Sequence, residues 1–300
     1  MTEEEVKIAL KLAETKDLTD EERSKLNGNF ISLPCGNTHF EIKGNGPLVV
    51  LTHGYATPYY IYDKVFEGLV AKGYKVLRYD LLGRGYSERI DKEYNAELFA
   101  QQLFELTDAL FKGEQFFLIG TSMGGTITTT FYKIHPEKVK KLVLLAPAGM
   151  DSFKPPLYMK IANVKGLGEL VFNNVAGPML LKKCCSELYF VSDEEKDYYQ
   201  KSFALSIQYK GFLKATLSSL RNTILKTKKA MEGYYAVANN KLPLLVIWGT
   251  IDKTMPFYQH ERLMEVCPHA ELKVYEGSGH IFLFDQGEQT TADILEFLEK

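Results

Sequence analysis

Short apolar runs recur along the chain and are separated by longer segments whose apolar residues have helical spacing. The runs are Leu48–Thr52, Lys75–Tyr79, Phe116–Ile119, Lys141–Leu145, Leu244–Trp248 and Glu271–Tyr275. Continuous apolar runs of this length are typical of strands that are buried on both faces. Their regular alternation with helices predicts an α/β fold, in which a mostly parallel sheet is covered by helices on both faces.

Two further segments near the N-terminus predict an antiparallel addition to this sheet. Phe30–Leu33 and His39–Ile42 are joined by the turn residues Gly36-Asn37, which is typical of a hairpin. The sheet is therefore expected to have about eight strands. Before the hairpin, residues 1–28 are interpreted as a helical extension, because Thr2 and Thr19 are each followed three residues later by Glu, the capping-box spacing. Packing on the core is favoured for this extension over binding to a membrane.

One interval interrupts the alternation of strands and helices. Residues 149–240 contain no convincing strand, but helical spacing is found around 157–173, 193–208 and 212–231. We interpret 149–240 as an inserted helical cap above the carboxyl edge of the sheet, and residues 29–148 with 241–300 as the core domain. Twelve Tyr and Phe residues lie in the insertion, and most of them are expected to pack its helices.

Composition narrows the function classes. The 300 residues are 45% hydrophobic and 25% charged, with a formal net charge of −2, which is typical of a soluble globular protein and offers no electrostatic argument for a nucleic-acid partner. The acidic start has no basic region followed by a long apolar core, and no apolar run is long enough to span a bilayer. A cytoplasmic protein without a transmembrane segment is expected.

The four cysteines, Cys35, Cys184, Cys185 and Cys267, fit a reducing compartment. Buried or unreactive thiols are the favoured interpretation, and redox sensing is the alternative. The Cys and His residues lack the spacing of metal ligands, so we expect neither a metal nor a cofactor.

The residues needed for acyl transfer follow the predicted strands. Ser122 lies in the turn Gly120–Gly124, Asp252 follows Leu244–Trp248, and His280 follows Glu271–Tyr275. A serine hydroxyl is a weak nucleophile that needs a base, and a histidine base needs a carboxylate to fix its tautomer. Since ligands gather at the carboxyl ends of parallel strands, these residues form a candidate catalytic triad. Asp151, which follows another core strand, is the alternative acid.

A tetrahedral oxyanion needs preorganised donors beside the nucleophile. The main-chain N–H groups of Met123 and Tyr55 are the candidates. His53 and Gly54 are expected to organise the loop that carries Tyr55, which follows the strand Leu48–Thr52. Two glycines, Gly120 and Gly124, are expected to leave room for a strained turn and for close packing of the helix after it.

From about Phe30 to the C-terminus, the chain resembles an α/β-hydrolase of the capped, lipase/esterase-like branch. The resemblance rests on His53-Gly54, the loop Asp80–Ser87, the Gly-x-Ser-x-Gly turn at Ser122, Asp252 and Gly279-His280. It implies the chain order serine, acid, histidine, and it implies that the Tyr55 N–H is an oxyanion donor. Asp80–Ser87 is interpreted as a structural loop, and the phenol of Tyr55 either lines the pocket or faces the substrate.

The expected function is a serine hydrolase that cleaves carboxylic esters with an apolar acyl or alcohol part, such as a monoacylglycerol or a small ester, through an acyl-enzyme. A carbon–carbon bond hydrolase of ring-cleavage products and a serine perhydrolase are the enzymatic alternatives. The alternative of another class is a ligand-binding receptor on a hydrolase scaffold.

A basic face of the insertion comprises Arg221, Lys226, Lys228 and Lys229. This face could contact a membrane, although a solvated helix face is favoured. The oligomeric state is left open.

Overall fold

The fold is described by a computed structural model for residues 13–172 and 187–300. Its centre is an eight-stranded sheet with the strand order β1-β2-β4-β3-β5-β6-β7-β8. The strands are β1 (Asn29–Leu33), β2 (Gly36–Lys43), β3 (Leu48–Thr52), β4 (Lys75–Tyr79), β5 (Phe116–Thr121), β6 (Val139–Leu145), β7 (Leu244–Gly249) and β8 (Glu271–Tyr275). The hairpin β1–β2 joins β4 in antiparallel orientation, and all other pairs are parallel. The predicted α/β class and strand number are confirmed.

The helices of the described residues follow in chain order. They are α1 (Asp20–Arg23), α2 (Asp63–Ala71), α3 (Ala96–Leu110), α4 (Met123–Ile134), α5 (Leu157–Ala162), α6 (Leu167–Val171), α7 (Asp193–Ser206), α8 (Phe212–Ser219), α9 (Thr227–Asn239), α10 (Gln259–Val266), α11 (Phe282–Asp285) and α12 (Gly287–Glu299). Every residue of β3 and of β7 is buried, so both faces of the sheet are covered at these central strands.

Helices α5 to α9 lie in the interval that the sequence predicts to be an insertion. α7 matches the predicted stretch 193–208 closely, whereas the stretch 212–231 is broken. A π-helical turn, Leu220–Ile224, follows α8, and α9 then runs on to Asn239. α9 packs against α4, and the Tyr234 hydroxyl donates to the carbonyl of Ala148. The last helix of the predicted insertion therefore contacts the core directly, and the division into core and cap stays a prediction.

The N-terminal extension is described only from residue 13, so the capping box at Thr2 lies outside the described residues. Thr19 caps the N-terminus of α1, and its hydroxyl accepts the N–H of Glu22 at 3.2 Å. Before it, the main chain runs alongside the insertion, where Glu14 N–H donates to the Ile207 carbonyl and Lys16 N–H to that of Gln208, both at 2.9 Å. This pairing ties the extension to the end of α7, which periodicity alone does not predict.

The thiols of Cys35 and Cys267 are free and buried. Burial raises the pKa of Cys35 to about 12 and that of Cys267 to about 11, so both are protonated and unreactive at neutral pH. Cys184 and Cys185 lie outside the described residues. Within residues 13–172 and 187–300, no helix has the length and apolar character that a bilayer crossing requires.

Candidate active site

Ser122 lies in the tight turn between β5 and α4, with φ of +54° and ψ of −122°. Residues other than glycine rarely adopt a positive φ. Such a conformation costs on the order of 1–3 kcal/mol and persists only where the surrounding structure enforces it. Here three main-chain hydrogen bonds do so. Ser122 N–H donates to the carbonyl of Leu145 at 3.0 Å, and its own carbonyl accepts from Gly125 at 2.9 Å and from Ala148 at 2.8 Å. The serine is thus held by β6 and the loop that follows it.

The two glycines that flank this turn are required by close approach of main-chain atoms. A Cβ atom added to Gly120 would lie 2.5 Å from the carbonyl oxygen of Gly124. One added to Gly124 would lie 2.3 Å from the carbonyl oxygen of Thr52 and 2.8 Å from that of His53. Because these neighbours are backbone atoms, they cannot move aside as a flexible side chain would. The start of α4 therefore packs directly on the end of β3.

The partly buried His280 and the buried Asp252 form a hydrogen-bonded pair in the loops that follow β8 and β7. The ring Nδ1 of His280 lies 2.7 Å from Asp252 Oδ2. The other oxygen of this carboxylate accepts the main-chain N–H groups of Thr254 at 2.8 Å and Met255 at 2.7 Å. Since an ionised carboxylate only accepts, this geometry places the ring proton on Nδ1 and leaves Nε2 as the basic nitrogen.

Burial raises the pKa of Asp252, and the charge and hydrogen bond of His280 oppose this rise without cancelling it. The alternative acid, Asp151, is elsewhere. Its carboxylate pairs on the surface with the Arg262 guanidinium, at 2.9 and 3.3 Å. Of the two acids that the sequence offered, the structure brings Asp252 to His280.

Ser122, Asp252 and His280 all lie at the carboxyl edge of the sheet. β5, β6, β7 and β8 are consecutive, parallel neighbours, and the three side chains follow the first, third and fourth of them. The topology therefore brings a serine and a hydrogen-bonded aspartate–histidine pair to one edge, which is the arrangement that a catalytic triad requires.

The loop after β3 lies directly against Ser122. A Cβ atom on Gly54 would be 3.0 Å from the Cβ of Ser122, so only glycine fits without displacing the serine. Tyr55 follows, and its carbonyl accepts a hydrogen bond of 2.9 Å from Nε of Arg84. The other candidate donor, Met123, is the first residue of α4, where main-chain N–H groups have no acceptor within the helix. Both N–H groups therefore belong to segments that contact Ser122.

His53 is buried in this loop and holds it together. Its Nε2 accepts the N–H of Leu81 at 2.9 Å, and its Nδ1 lies 2.9 Å from the carbonyl of Gly54. Burial lowers the pKa of His53 to about 4, with a nearby Asp80 charge opposing the shift. The ring is therefore neutral at physiological pH, and both its nitrogens are engaged with the backbone.

Asp80 is the centre of the loop Asp80–Ser87. Its carboxylate is buried and lies 2.8 Å from Nδ1 of His39, while accepting the main-chain N–H groups of Tyr59 and Tyr86 at 3.0 Å each. The Ser87 hydroxyl donates to the Asp80 carbonyl at 2.6 Å. These contacts are structural: they tie β2, the loop after β3 and the loop after β4 to one another.

Sequence reasoning did not find Glu187, a buried residue of the insertion that reaches the triad loops. Its Oε2 accepts the main-chain N–H of Lys253 at 3.0 Å and that of His280 at 3.1 Å. Its Oε1 accepts the hydroxyl of Thr254 at 2.5 Å. Nothing in the local sequence distinguishes this glutamate from other acidic residues of the insertion, because its partners are more than sixty residues away.

Aromatic side chains of α7 contact the loop after β3 and the helix α2. Tyr199 is buried, with its hydroxyl 3.3 Å from that of Thr57, and its ring packs edge-on against Tyr60 at 5.5 Å. The neighbouring Tyr198 donates its hydroxyl proton to Asp63 at 2.6 Å. The insertion thus places aromatic surface beside the loop that carries the predicted oxyanion donor.

The predicted basic face is partly neutralised. Arg221 pairs with Glu169 and donates to the carbonyl of Ala162 inside the insertion, and Lys229 pairs with Glu97 at 2.8 Å. These two ion pairs offset two of the four positive charges, which weakens the attraction of this face for anionic lipid.

Comparison with known proteins identifies the family. The sequence profile of the alpha/beta hydrolase fold matches residues 47–286. The chain is 27% identical over 280 residues to a 2-hydroxy-6-oxononadienedioate/2-hydroxy-6-oxononatrienedioate hydrolase of Cupriavidus pinatubonensis, covering 90% of this chain and 94% of that relative. It is 26% identical over 292 residues to Lipase 3 of a Moraxella species, covering 94% and 89%.

Among solved structures, an esterase from Exiguobacterium antarcticum is similar, with a TM-score of 0.76 and 21% identity. The match covers 91% of this chain and 100% of the esterase. At this identity the structural likeness supports the fold alone.

Proposed function

Because this chain belongs to the α/β-hydrolase fold family, we propose that it is a serine hydrolase that cleaves carboxylic esters with an apolar acyl or alcohol part through an acyl-enzyme. The observation that carries the proposal is the hydrogen-bonded pair of His280 and Asp252 at the same sheet edge as Ser122, which the strained turn presents. The similarity to Lipase 3 supports an ester substrate.

In the first half of the proposed reaction, the Ser122 hydroxyl attacks the ester carbonyl while Nε2 of His280 accepts its proton. Asp252 holds the ring in the required tautomer and stabilises the imidazolium that forms. The main-chain N–H groups of Tyr55 and Met123 stabilise the negative charge on the carbonyl oxygen. His280 then donates the proton to the leaving alcohol, and the acyl group remains on Ser122.

In the second half, a water molecule enters and His280 removes its proton as it attacks the acyl carbon. Collapse of the second tetrahedral intermediate returns the proton to Ser122 and releases the acid. Apart from the water molecule, every proposed step uses side chains and main-chain N–H groups of this chain.

An apolar substrate is supported by the surface that the insertion brings to the site. The rings of Tyr60 and Tyr199 pack against each other, and the Tyr199 hydroxyl reaches Thr57 in the loop that carries Tyr55. Aromatic surface of this kind accommodates an acyl chain or ring better than a charged metabolite. We therefore propose monoacylglycerols and small aliphatic or aromatic esters as the substrate class.

A second candidate is hydrolysis of a carbon–carbon bond, which the similarity to the Cupriavidus hydrolase favours. A serine triad serves that reaction also. The loop His53-Gly54-Tyr55-Ala56-Thr57-Pro58 argues against it, since it is bulkier than the small, glycine-rich loop usual in such enzymes. The ester reaction therefore remains the preferred proposal.

A substrate panel separates the two candidates. The purified protein would be tested with p-nitrophenyl esters from acetate to palmitate, with monoacylglycerols, and with a 2-hydroxy-6-oxodienoate, each beside Ser122→Ala. The proposal expects ester turnover with a chain-length preference, abolished in Ser122→Ala. Turnover of the dienoate with kcat/KM far above that of every ester would overturn it in favour of carbon–carbon hydrolysis.

A further inference from the structure

Glu187 brings a second buried carboxylate to the triad, from a part of the chain remote from both triad loops. Its side chain contacts the Asp252 loop through Lys253 and Thr254 and the His280 loop through the main chain of His280 itself. Burying a carboxylate is unfavourable unless hydrogen bonds replace its water. Here three donors do so, and all three belong to the segments that carry the triad acid and base.

The two carboxylates share partners. Thr254 donates its main-chain N–H to Asp252 and its hydroxyl to Glu187. His280 likewise directs its ring Nδ1–H to Asp252 and its main-chain N–H to Glu187. A change at Glu187 therefore acts on both ends of the hydrogen bond between the base and its acid.

We propose that Glu187 is a positioning residue of the active site, which fixes the His280 and Asp252 loops relative to each other and adds a second negative charge beside the histidine. The inference rests on the proposed triad function. Fixing the main chain of His280 orients its ring, and misplacement of a catalytic group by about 1 Å costs about a hundredfold in rate. The added charge stabilises the imidazolium that forms during acyl transfer.

Two substitutions separate geometry from charge. Glu187→Ala removes both, whereas Glu187→Gln removes only the charge. The glutamine oxygen can still accept the N–H groups of Lys253 and His280, while its amide donates to the hydroxyl of Thr254. Glutamine is therefore the isosteric variant that the site accommodates.

The expected kinetic results differ between the variants. Glu187→Ala is expected to lower kcat by about tenfold to a hundredfold with KM changed by less than about twofold, because the reacting groups rather than the substrate pocket are displaced. Glu187→Gln is expected to restore kcat to within about threefold of wild type on the pH plateau. The acidic limb of its kcat/KM–pH profile should move to lower pH by about 0.5–1 unit, since a charge that favours the protonated histidine is gone.

Asp285→Asn is the matched control. Asp285 is a buried acid of α11 whose side chain accepts the main-chain N–H of Tyr189 at 3.0 Å, so it anchors the same segment of the insertion without a side-chain hydrogen bond to either triad loop in the described residues. Its substitution is expected to leave kcat and the pH profile near wild type. An equal shift of the pH profile in Asp285→Asn and Glu187→Gln would overturn the proposal, because any buried negative charge of this region would then have the same effect.

A readout without substrate keeps this test separate from that of the proposed function. In the Ser122→Ala background, proton NMR would follow the low-field Nδ1–H signal and the titration of His280 with and without Glu187→Gln. A titration shifted to lower pH supports the role of Glu187 even if no ester is hydrolysed. An unchanged titration of His280 together with wild-type kcat in Glu187→Gln and Glu187→Ala would refute this role. If the alanine variant does not fold, the titration and kcat of Glu187→Gln alone decide between the two outcomes.

Discussion

The carbonyl oxygen of Tyr55 accepts a hydrogen bond of 2.9 Å from the guanidinium of Arg84, a fully buried side chain. Among the described residues, Arg84 forms no ion pair with a carboxylate, and its second terminal nitrogen, NH2, has no hydrogen-bond partner. Burial lowers the pKa of Arg84 to about 10, so it remains charged at neutral pH. A buried charge with incomplete compensation costs stability. We infer that the Arg84 hydrogen bond orients the loop that carries the predicted oxyanion donor.

Arg84→Met is therefore expected to lower kcat by about tenfold or more while leaving the melting temperature unchanged or raised. The reason is that methionine fills the space without a buried charge but cannot hold the Tyr55 carbonyl. Arg262→Met is the control, because that partly exposed arginine pairs with Asp151 on the surface. Ester kinetics and calorimetry measure the two effects. A lowered melting temperature with unchanged kcat would show that Arg84 serves the fold alone.

Replacement of the triad acid tests the choice between two aspartates. Asp252→Asn is expected to lower kcat by about 10⁴-fold, because an amide no longer imposes the Nδ1–H tautomer on His280. Asp151→Asn should change kcat by less than about twofold, since it loses only a surface ion pair. Ester hydrolysis at saturating substrate measures both. Comparable losses in the two variants would contradict the assignment of the acid.

The close approach of α4 to β3 predicts strong intolerance of a methyl group. In Gly124→Ala the new Cβ meets the carbonyl oxygens of Thr52 and His53, so we expect a loss of about 3 kcal/mol or more in the free energy of unfolding. Gly113→Ala is the control, because it makes the same chemical change where no atom lies within 4 Å of the added Cβ. Only its φ of +80° is unfavourable, at about 1 kcal/mol. Urea unfolding compares them, and equal losses would contradict the steric account.

The lowered pKa of Asp80 leads us to expect a loss of stability at low pH. Burial alone would raise its pKa, but the hydrogen bond and charge of His39, with a smaller contribution from His53, lower it below the ordinary value. Its ionised form thus contributes stability that is complete above pH ~4, the pKa of an unfolded aspartate, and is lost as pH falls through the lower folded pKa.

Asp80→Asn is expected to be destabilised by about 3 kcal/mol or more at pH 7, because the amide presents a donor to neighbouring N–H groups. The difference from wild type should narrow as pH falls below about 4. Urea titrations from pH 3 to 7 measure it. A difference that stays constant over this range would contradict the proposed pKa.

The strands were predictable from the sequence because each depends on local pattern. Runs such as Leu244–Trp248 are buried on both faces, and the residues after them must lie at the carboxyl edge of a parallel sheet. Glu187 was not predictable, since its contacts depend on how the insertion folds back over the core. The same reason applies to the pairing of Lys16 with Gln208 and to the break between α8 and α9, where tertiary packing overrides helical periodicity.

The central claim is that Ser122 carries the acyl group, and trapping that intermediate tests it most directly. The protein would be mixed with a p-nitrophenyl ester, quenched in acid within its first turnover, and examined by intact-mass spectrometry and peptide mapping. The account predicts one acyl group per chain, located on Ser122 and absent in Ser122→Ala. An acyl group on another residue, or release of nitrophenol with no adduct and no loss in Ser122→Ala, would contradict it.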